Sequence, residues 1–302
     1  VKSEVSLVSF IRVDRKEDFK ESLQDALELI QYKLPTNIKS IVVKPNMCYY
    51  WDYSTGQTTD PRFVAALIDL LRERISSDVN ISIVESDASA MKCKYAFKML
   101  GYEKLSKEYD VRLVNLSEEE NSIREVTAGT QKFSIAIPRI IEEADLKINI
   151  PKIKYALQGI KITCALKNIF GCNPYPKKFI YHSKLGEAIV ALNKAMKFDL
   201  CVIDGNIVSG VQPQRLGLVM ASEDPVAIDA AAARIAGVNP TTMKYLKLAA
   251  QEGLGNTDFV ERGTPLNYFK ARYPKKDIQN KVMEKAYGMV VKMKLGKRLG
   301  LP

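Results

Sequence analysis

The sequence predicts an α/β protein with a mostly parallel, Rossmann-like layered sheet, and three observations predict it. Short β-branched runs alternate with segments of helical period along most of the 302 residues. Runs such as Ile38–Lys44 (IKSIVVK) are apolar enough for strands covered on both faces. Two helices open on Asp-Pro, at Asp60-Pro61 and Asp224-Pro225, which hints at two similar lobes.

The elements follow in order. Val5–Arg12 alternates and reads as a strand, and Phe19, Leu23, Ala26, Leu27 and Ile30 fall at helical spacing. Ile38–Lys44 is a buried strand stopped by Pro45. Phe63–Leu71 is a helix with Asp60 as N-cap and Pro61 at its first position. Val79–Val84 is a strand, and a helix from about Ala90 to Leu100 stops at Gly101. Val111–Asn115 and Gln131–Ile137 read as strands, Ile140–Ala144 as a short helix, and Asp145–Ile150 as a strand ending at Pro151. Residues 151–184 have no clear period and contain Pro151, Gly159, Gly171, Pro174 and Pro176. The pattern then resumes with helix 185–197, strands 199–204 and 216–221, and helices 225–236 and 241–251. This gives an N-terminal lobe (1–150), a lysine-rich insertion forming the site (151–184), a C-terminal lobe (185–260) and a basic helical tail (261–302).

The formal charge of +10 is unevenly spread. Lys147–Lys184 holds eight lysines and no Asp, Glu or Arg, and Glu261–Pro302 holds eleven Lys/Arg against three acids. Each block nets +8, so the rest of the chain nets 10 − 16 = −6. Such blocks attract phosphates, carboxylates, nucleic acid or anionic lipid. One histidine and abundant Ile, Lys and Glu fit an origin in a heat-loving organism. No run of 18 apolar residues exists, and charges interrupt the N-terminal VKSEVSLVSFIRVDRKEDF, so a cytoplasmic location is expected. Phosphate-loop, dinucleotide-fingerprint and nucleophile-elbow motifs are all missing.

In open α/β sheets ligands bind at the carboxyl ends of strands. Those ends carry Lys44-Pro45-Asn46, Glu85-Ser86-Asp87, Pro151-Lys152-Ile153-Lys154, Asp204-Gly205-Asn206 and Ser222-Glu223-Asp224. If the strands are parallel neighbours, all five termini meet in one crevice. Lys152, Lys154, Lys161, Lys167 and Asn168 then form the strongest local signal, because lysines without a nearby acid in sequence would repel unless an anion sits among them. Lys44, Glu85, Asp204 and His182 are the catalytic candidates, with Asn46 and Asn168 orienting the ligand. Glu85, Asp204 and Asp229 are candidate ligands for a divalent metal. As an alternative, Cys48, Cys93, Cys164 and Cys172 follow strand ends and would hold an iron–sulfur cluster if gathered, although no pair has C-x-x-C spacing.

Over about residues 38–260 the chain resembles the domain-of-unknown-function family numbered 362, whose members are archaeal and bacterial. The resemblance lies in Val43-Lys-Pro-Asn46, Thr58-Thr-Asp-Pro61, Glu85-Ser86, Ala144-Asp-Leu-Lys-Ile-Asn-Ile-Pro-Lys-Ile-Lys154 and Leu166-Lys-Asn-Ile-Phe-Gly171. It continues in Tyr181-His182, Val202-Ile-Asp-Gly205, Ser222-Glu-Asp-Pro-Val-Ala-Ile-Asp229 and Gly253-Leu-Gly255. It implies an α/β fold and no particular reaction. Many similar proteins carry an appended ferredoxin-like module, and its C-x-x-C clusters have no counterpart here.

The expectation is therefore an enzyme that binds a small phosphorylated or carboxylated substrate, for group transfer or a lyase or isomerase step. Electron transfer through the crevice cysteines is one alternative. Another is contact with RNA or an anionic membrane surface through residues 262–298, where Ile278, Val282, Tyr287, Val290 and Met293 approximate one helical face.

Overall fold

The computed structural model describes residues 5–14, 18–156 and 160–275. Eight strands form one sheet: β1 (Ser6–Arg12), β2 (Ser40–Pro45), β3 (Asn80–Glu85), β4 (Arg112–Asn115), β7 (Leu146–Ile150), β10 (Leu200–Val208), β11 (Gln214–Ser222) and β12 (Phe259–Gly263). Two small antiparallel pairs stand apart, β5 (Asn121–Ala128) with β6 (Gln131–Pro138), and β8 (Lys154–Tyr155) with β9 (Ile162–Thr163). The large sheet runs β12-β1-β11-β10-β7-β2-β3-β4, so strands from both sides of the 151–184 segment share it.

The α/β expectation holds, and the sheet is mostly parallel. The β10–β7, β7–β2, β2–β3, β3–β4 and β1–β12 pairs are all parallel. Only β11 runs against its neighbours. The reason is the short link 209–213 between β10 and β11, which can close a hairpin but cannot carry a crossover. Consequently Cys201 pairs with Ser222, and Ser222-Glu223-Asp224 lies at the rim opposite Asp204. Four strand ends converge, not five.

Each face of the sheet buries its own core. Ile41, Val43, Ile81 and Ile83 pack with the helices Phe19–Leu29 and Pro61–Arg74. Val42, Val84, Cys201 and Ile203 pack with Leu185–Ala195 and Pro225–Ile235 on the other face. This is the period-2 alternation of strands covered on both sides. Both Asp-Pro starts are caps. Asp60 accepts from the Arg62 N–H, and Asp224 accepts from the Val226 and Ala227 N–H groups, contacts typically worth about 1 kcal/mol each.

Several elements escape the sequence pattern, among them the edge strand β12, which pairs with β1 where the helical tail is expected to begin, and the short helix Leu266–Lys270. The helix Tyr102–Glu108 follows Gly101 directly, and β5 presents a mainly exposed face with no apolar alternation. The pair β5–β6 turns through Gly129-Thr130, with Gly129 at φ +58°, as a two-residue hairpin requires.

Residues 151–184 are not a structureless loop. Their described part contains the β8–β9 pair, the helix Ala165–Asn168 and the 3-10 turns Ile169–Cys172 and Lys178–Lys184. Ile153, Ile162, Cys164, Leu166, Ile169 and Phe170 are buried in the second core. Elements of two to four residues are too short to show a period in sequence. At the chain's end, the helix Leu266–Lys270 buries Leu266 and Phe269 on the body. The helix expected over 277–296 lies outside the described residues. No helix among the described residues is long and apolar enough to cross a membrane.

Candidate active site

The carboxyl ends of β2, β3, β7 and β10 meet residues 151–156 and 160–178. Lys44 ends an apolar strand, and its Nζ lies 2.7 Å from Glu85 on the adjacent β3 and 2.6 Å from the Pro45 carbonyl. Lys152 lies just past β7, with its Nζ 3.0 Å from Asp204 of β10. All four charged side chains are at most 4 % exposed. Asp204 also accepts the Asp60 N–H at 2.9 Å and the Asn206 N–H at 3.1 Å. Two lysines that the sequence leaves without acids are therefore neutralised by carboxylates from other strands. Such pairs offset a large desolvation cost only when both partners are present.

Gly171 lets the covering segment approach this ion pair. A Cβ on it would lie 2.9 Å from Glu85 Oε1 and 3.0 Å from Lys44 Cε. Its carbonyl accepts from the Ser86 hydroxyl, which in turn accepts from Lys178 Nζ at 2.5 Å.

The expected orienting amides are engaged with one another. Lys154 Nζ donates to Asn46 Oδ1 at 2.6 Å, and Asn46 Nδ2 donates to Asn168 Oδ1 at 2.9 Å. Asn168 Nδ2 donates to Asn149 Oδ1 at 2.8 Å and to the Lys44 carbonyl at 3.1 Å. Asn149 Nδ2 reaches the Ala165 carbonyl at 2.9 Å. The relay ties β2 and β7 to the lysine-bearing helix, so Asn46 and Asn168 hold the elements of the rim together.

Three further lysines at this rim have no carboxylate within ion-pair distance among the described residues. Lys154 is buried and also donates to the Gln57 carbonyl at 3.0 Å. Burial lowers its pKa, and Lys152 and Lys44 lower it further, against a favourable contact with Cys48. Burial, with Lys154 beside it, lowers Lys167 to about 8. No described residue accepts a hydrogen bond from Lys167, whose ammonium lies 5.4 Å from the Phe170 ring centroid. Lys178 is pushed down by burial and by Lys44, with Glu85 opposing. Sequence reasoning missed Lys178, because no strand precedes it. Its only signal was the lysine-rich block.

Other expected members stand elsewhere. Lys161 lies at the far end of the β8–β9 pair and bonds Thr242 Oγ1 at 2.7 Å. The side chain of His182, in the turn Lys178–Lys184, lies outside the described residues. Asp229 sits in the second core, accepting the Ala165 N–H at 2.6 Å and the Tyr245 hydroxyl at 3.1 Å. Glu85, Asp204 and Asp229 are thus held by three separate partner sets, and no three His, Cys, Asp or Glu side chains converge on a metal position among the described residues. The same holds for the four cysteines of the alternative reading: no three of Cys48, Cys93, Cys164 and Cys172 gather at one point among the described residues. Burial raises the thiols of Cys93, Cys164 and Cys172, the last to about 12, so these are neutral buried groups. Cys48 alone is half-buried.

Fold and rim together define an α/β protein with a recessed cationic cluster at the strand ends. A family model described as "Domain of unknown function (DUF362)" matches residues 41–234, and the chain belongs to that family. The "Thylakoid-associated protein sll1697" of Synechocystis sp. (strain ATCC 27184 / PCC 6803 / Kazusa) is 34% identical over 140 residues, which span 42% of this chain and 43% of that protein. The lactate racemase apoprotein from Thermoanaerobacterium thermosaccharolyticum is similar at 12% identity and TM-score 0.47, over 77% of this chain and 57% of that one. A Thermotoga maritima protein is similar at 15% identity and TM-score 0.37, over 80% of this chain and 60% of that one.

Proposed function

We propose that this protein is an enzyme that binds a small anionic substrate, a phosphate or carboxylate, at the lysine rim. The observation that carries the reading is the group of three ammonium heads, on Lys154, Lys167 and Lys178, without carboxylates beside two lysines that have them. Like charges crowded in a desolvated place raise the free energy of the empty site, and an anion relieves that repulsion. Lys167 and Lys178 are the half-buried members and mark the way in. Behind them, Lys44 and Glu85 form an acid–base couple 2.7 Å apart that serves proton transfer to a bound ligand.

Thermal shift of the full chain against inorganic phosphate, pyrophosphate, acetate and citrate tests the reading. At least one anion raises the melting temperature, and Lys167→Ala and Lys178→Ala abolish the rise. If both variants keep the full shift, the rim does not hold the anion.

A further inference from the structure

Exposed apolar side chains concentrate in segments that adjoin the rim in sequence. Ten large hydrophobic residues stand exposed among the described residues, and seven of them fall within residues 49–51, 95–99 and 175–180, just after Asn46, after Asp87 and around Lys178. Tyr49 and Trp51 are 47% and 50% exposed, with ring centroids 5.1 Å apart, on the loop leaving Asn46 and Cys48. Tyr175, Phe179 and Ile180 flank Lys178. Tyr95 and Met99 stand on the helix Cys93–Met99. Hydrogen bonds hold the three segments together: Lys92 N–H donates to the Tyr50 hydroxyl at 3.0 Å, and the Ser89 hydroxyl donates to the Pro176 carbonyl at 3.2 Å.

A recessed cationic cluster bordered by exposed aromatic rings matches a ligand with two parts. We infer that the rim takes an organic anion with an aromatic body: the anionic group meets Lys154, Lys167 and Lys178, and the ring lies on the aromatic border carried by residues 49–51 and 175–180. The inference rests on the anion reading and specifies its substrate class. The depth of the charge selects this occupant over a bilayer, whose headgroups stay outside the protein surface. Exposed Lys92, Lys94, Lys98 and Lys177 stand on the same segments, but the lysines without carboxylates lie deeper, Lys154 at 7% exposure against about half for the bordering rings, where one small anionic group fits and a headgroup layer does not.

The test compares ligands of matched charge by calorimetric titration of the full chain: phenyl phosphate against methyl phosphate, and benzoate against acetate. The aryl member of at least one pair binds about tenfold tighter, the gain expected of ring stacking, and changes the emission of Trp51, the chain's one tryptophan. Trp51→Ala and Phe179→Ala bring the aryl ligand to the level of its small partner and leave that partner's affinity unchanged. Both side chains are about half exposed, so the substitutions spare the core. Equal affinity within both pairs overturns this inference and leaves the anion reading standing. No binding by any of the four overturns this inference, and the anion reading falls with it if phosphate, pyrophosphate and citrate also leave the melting temperature unchanged. Attachment to phosphatidylglycerol vesicles, lost in the same variants and without an aryl preference, assigns the border to a membrane and overturns the inference.

Discussion

The strand-end rim and the second core both bury carboxylates, and they treat them in opposite ways. At the rim, Glu85 and Asp204 each face a lysine ammonium, at 2.7 and 3.0 Å. Asp229, equally buried on the helix Pro225–Ile235, has neutral hydrogen-bond partners, the Ala165 N–H and the Tyr245 hydroxyl. Burial raises its pKa to about 7, with those hydrogen bonds opposing. Burial is common to the two regions, so the partner decides what it does. At the rim each carboxylate has a counter-charge beside it, whereas Asp229 has neutral donors and titrates near neutrality.

The largest effect expected from this contrast is on stability at the rim. Lys44→Met or Glu85→Gln alone leaves a buried charge or dipole without its partner and costs about 3–5 kcal/mol in denaturant unfolding. The double variant Lys44→Met/Glu85→Leu recovers most of that loss, because neither charge then needs solvation. Single variants within about 1 kcal/mol of the parent would show that water reaches the pair, and the contrast would vanish.

The second region breaks in the other direction. Asp229 holds its proton in the folded state up to about pH 7, while in the unfolded chain it ionises near its ordinary value of 3.8. The folded state therefore binds more protons between those values, and stability falls as pH rises through the window, then levels off. The ceiling is roughly 4 kcal/mol. Asp229→Asn keeps an acceptor for Ala165 and removes the titration, so unfolding at pH 5 and pH 8 should differ less than in the parent. An unchanged pH slope in the variant would assign the titration to another group.

Much of this contrast was legible in the sequence, and the rest was not for physical reasons. Lys44 before Pro45, and Glu85 and Asp204 at strand ends, marked the rim because a parallel sheet directs those ends to one side. Pairing was invisible, because Lys44 and Glu85 are 41 residues apart and Lys152 and Asp204 are 52 apart; only strand order brings them together. Strand direction failed at β11, where the length of one link decides the hand of the pairing. The carboxamides of Asn46 and Asn168 read as free donors, since a relay through Asn149 exists only once three elements meet.

The remaining effects concern binding. Lys167, lowered to about 8, loses its proton above that pH, so anion affinity should fall up to about tenfold between pH 7 and pH 9. Lys167→Arg keeps its charge throughout and flattens the profile. A parent profile that is already flat would mean that Lys167 does not meet the ligand.

The smallest expected effect separates a built rim from a merely basic segment. Lys161 belongs to the same lysine-rich stretch, yet it lies at the exposed end of the β8–β9 pair, with φ +66° and its ammonium 2.7 Å from Thr242 Oγ1. An exposed charge outside the rim acts on a ligand only through screened, long-range attraction. Lys161→Ala should leave anion affinity within about twofold and stability within about 0.5 kcal/mol of the parent. Lys167→Ala removes the same formal charge from inside the rim and should cost far more affinity. If the two variants weaken binding equally, and added salt removes the loss in both, the segment works as a diffuse positive field and the contacts at the strand ends are not what holds the anion.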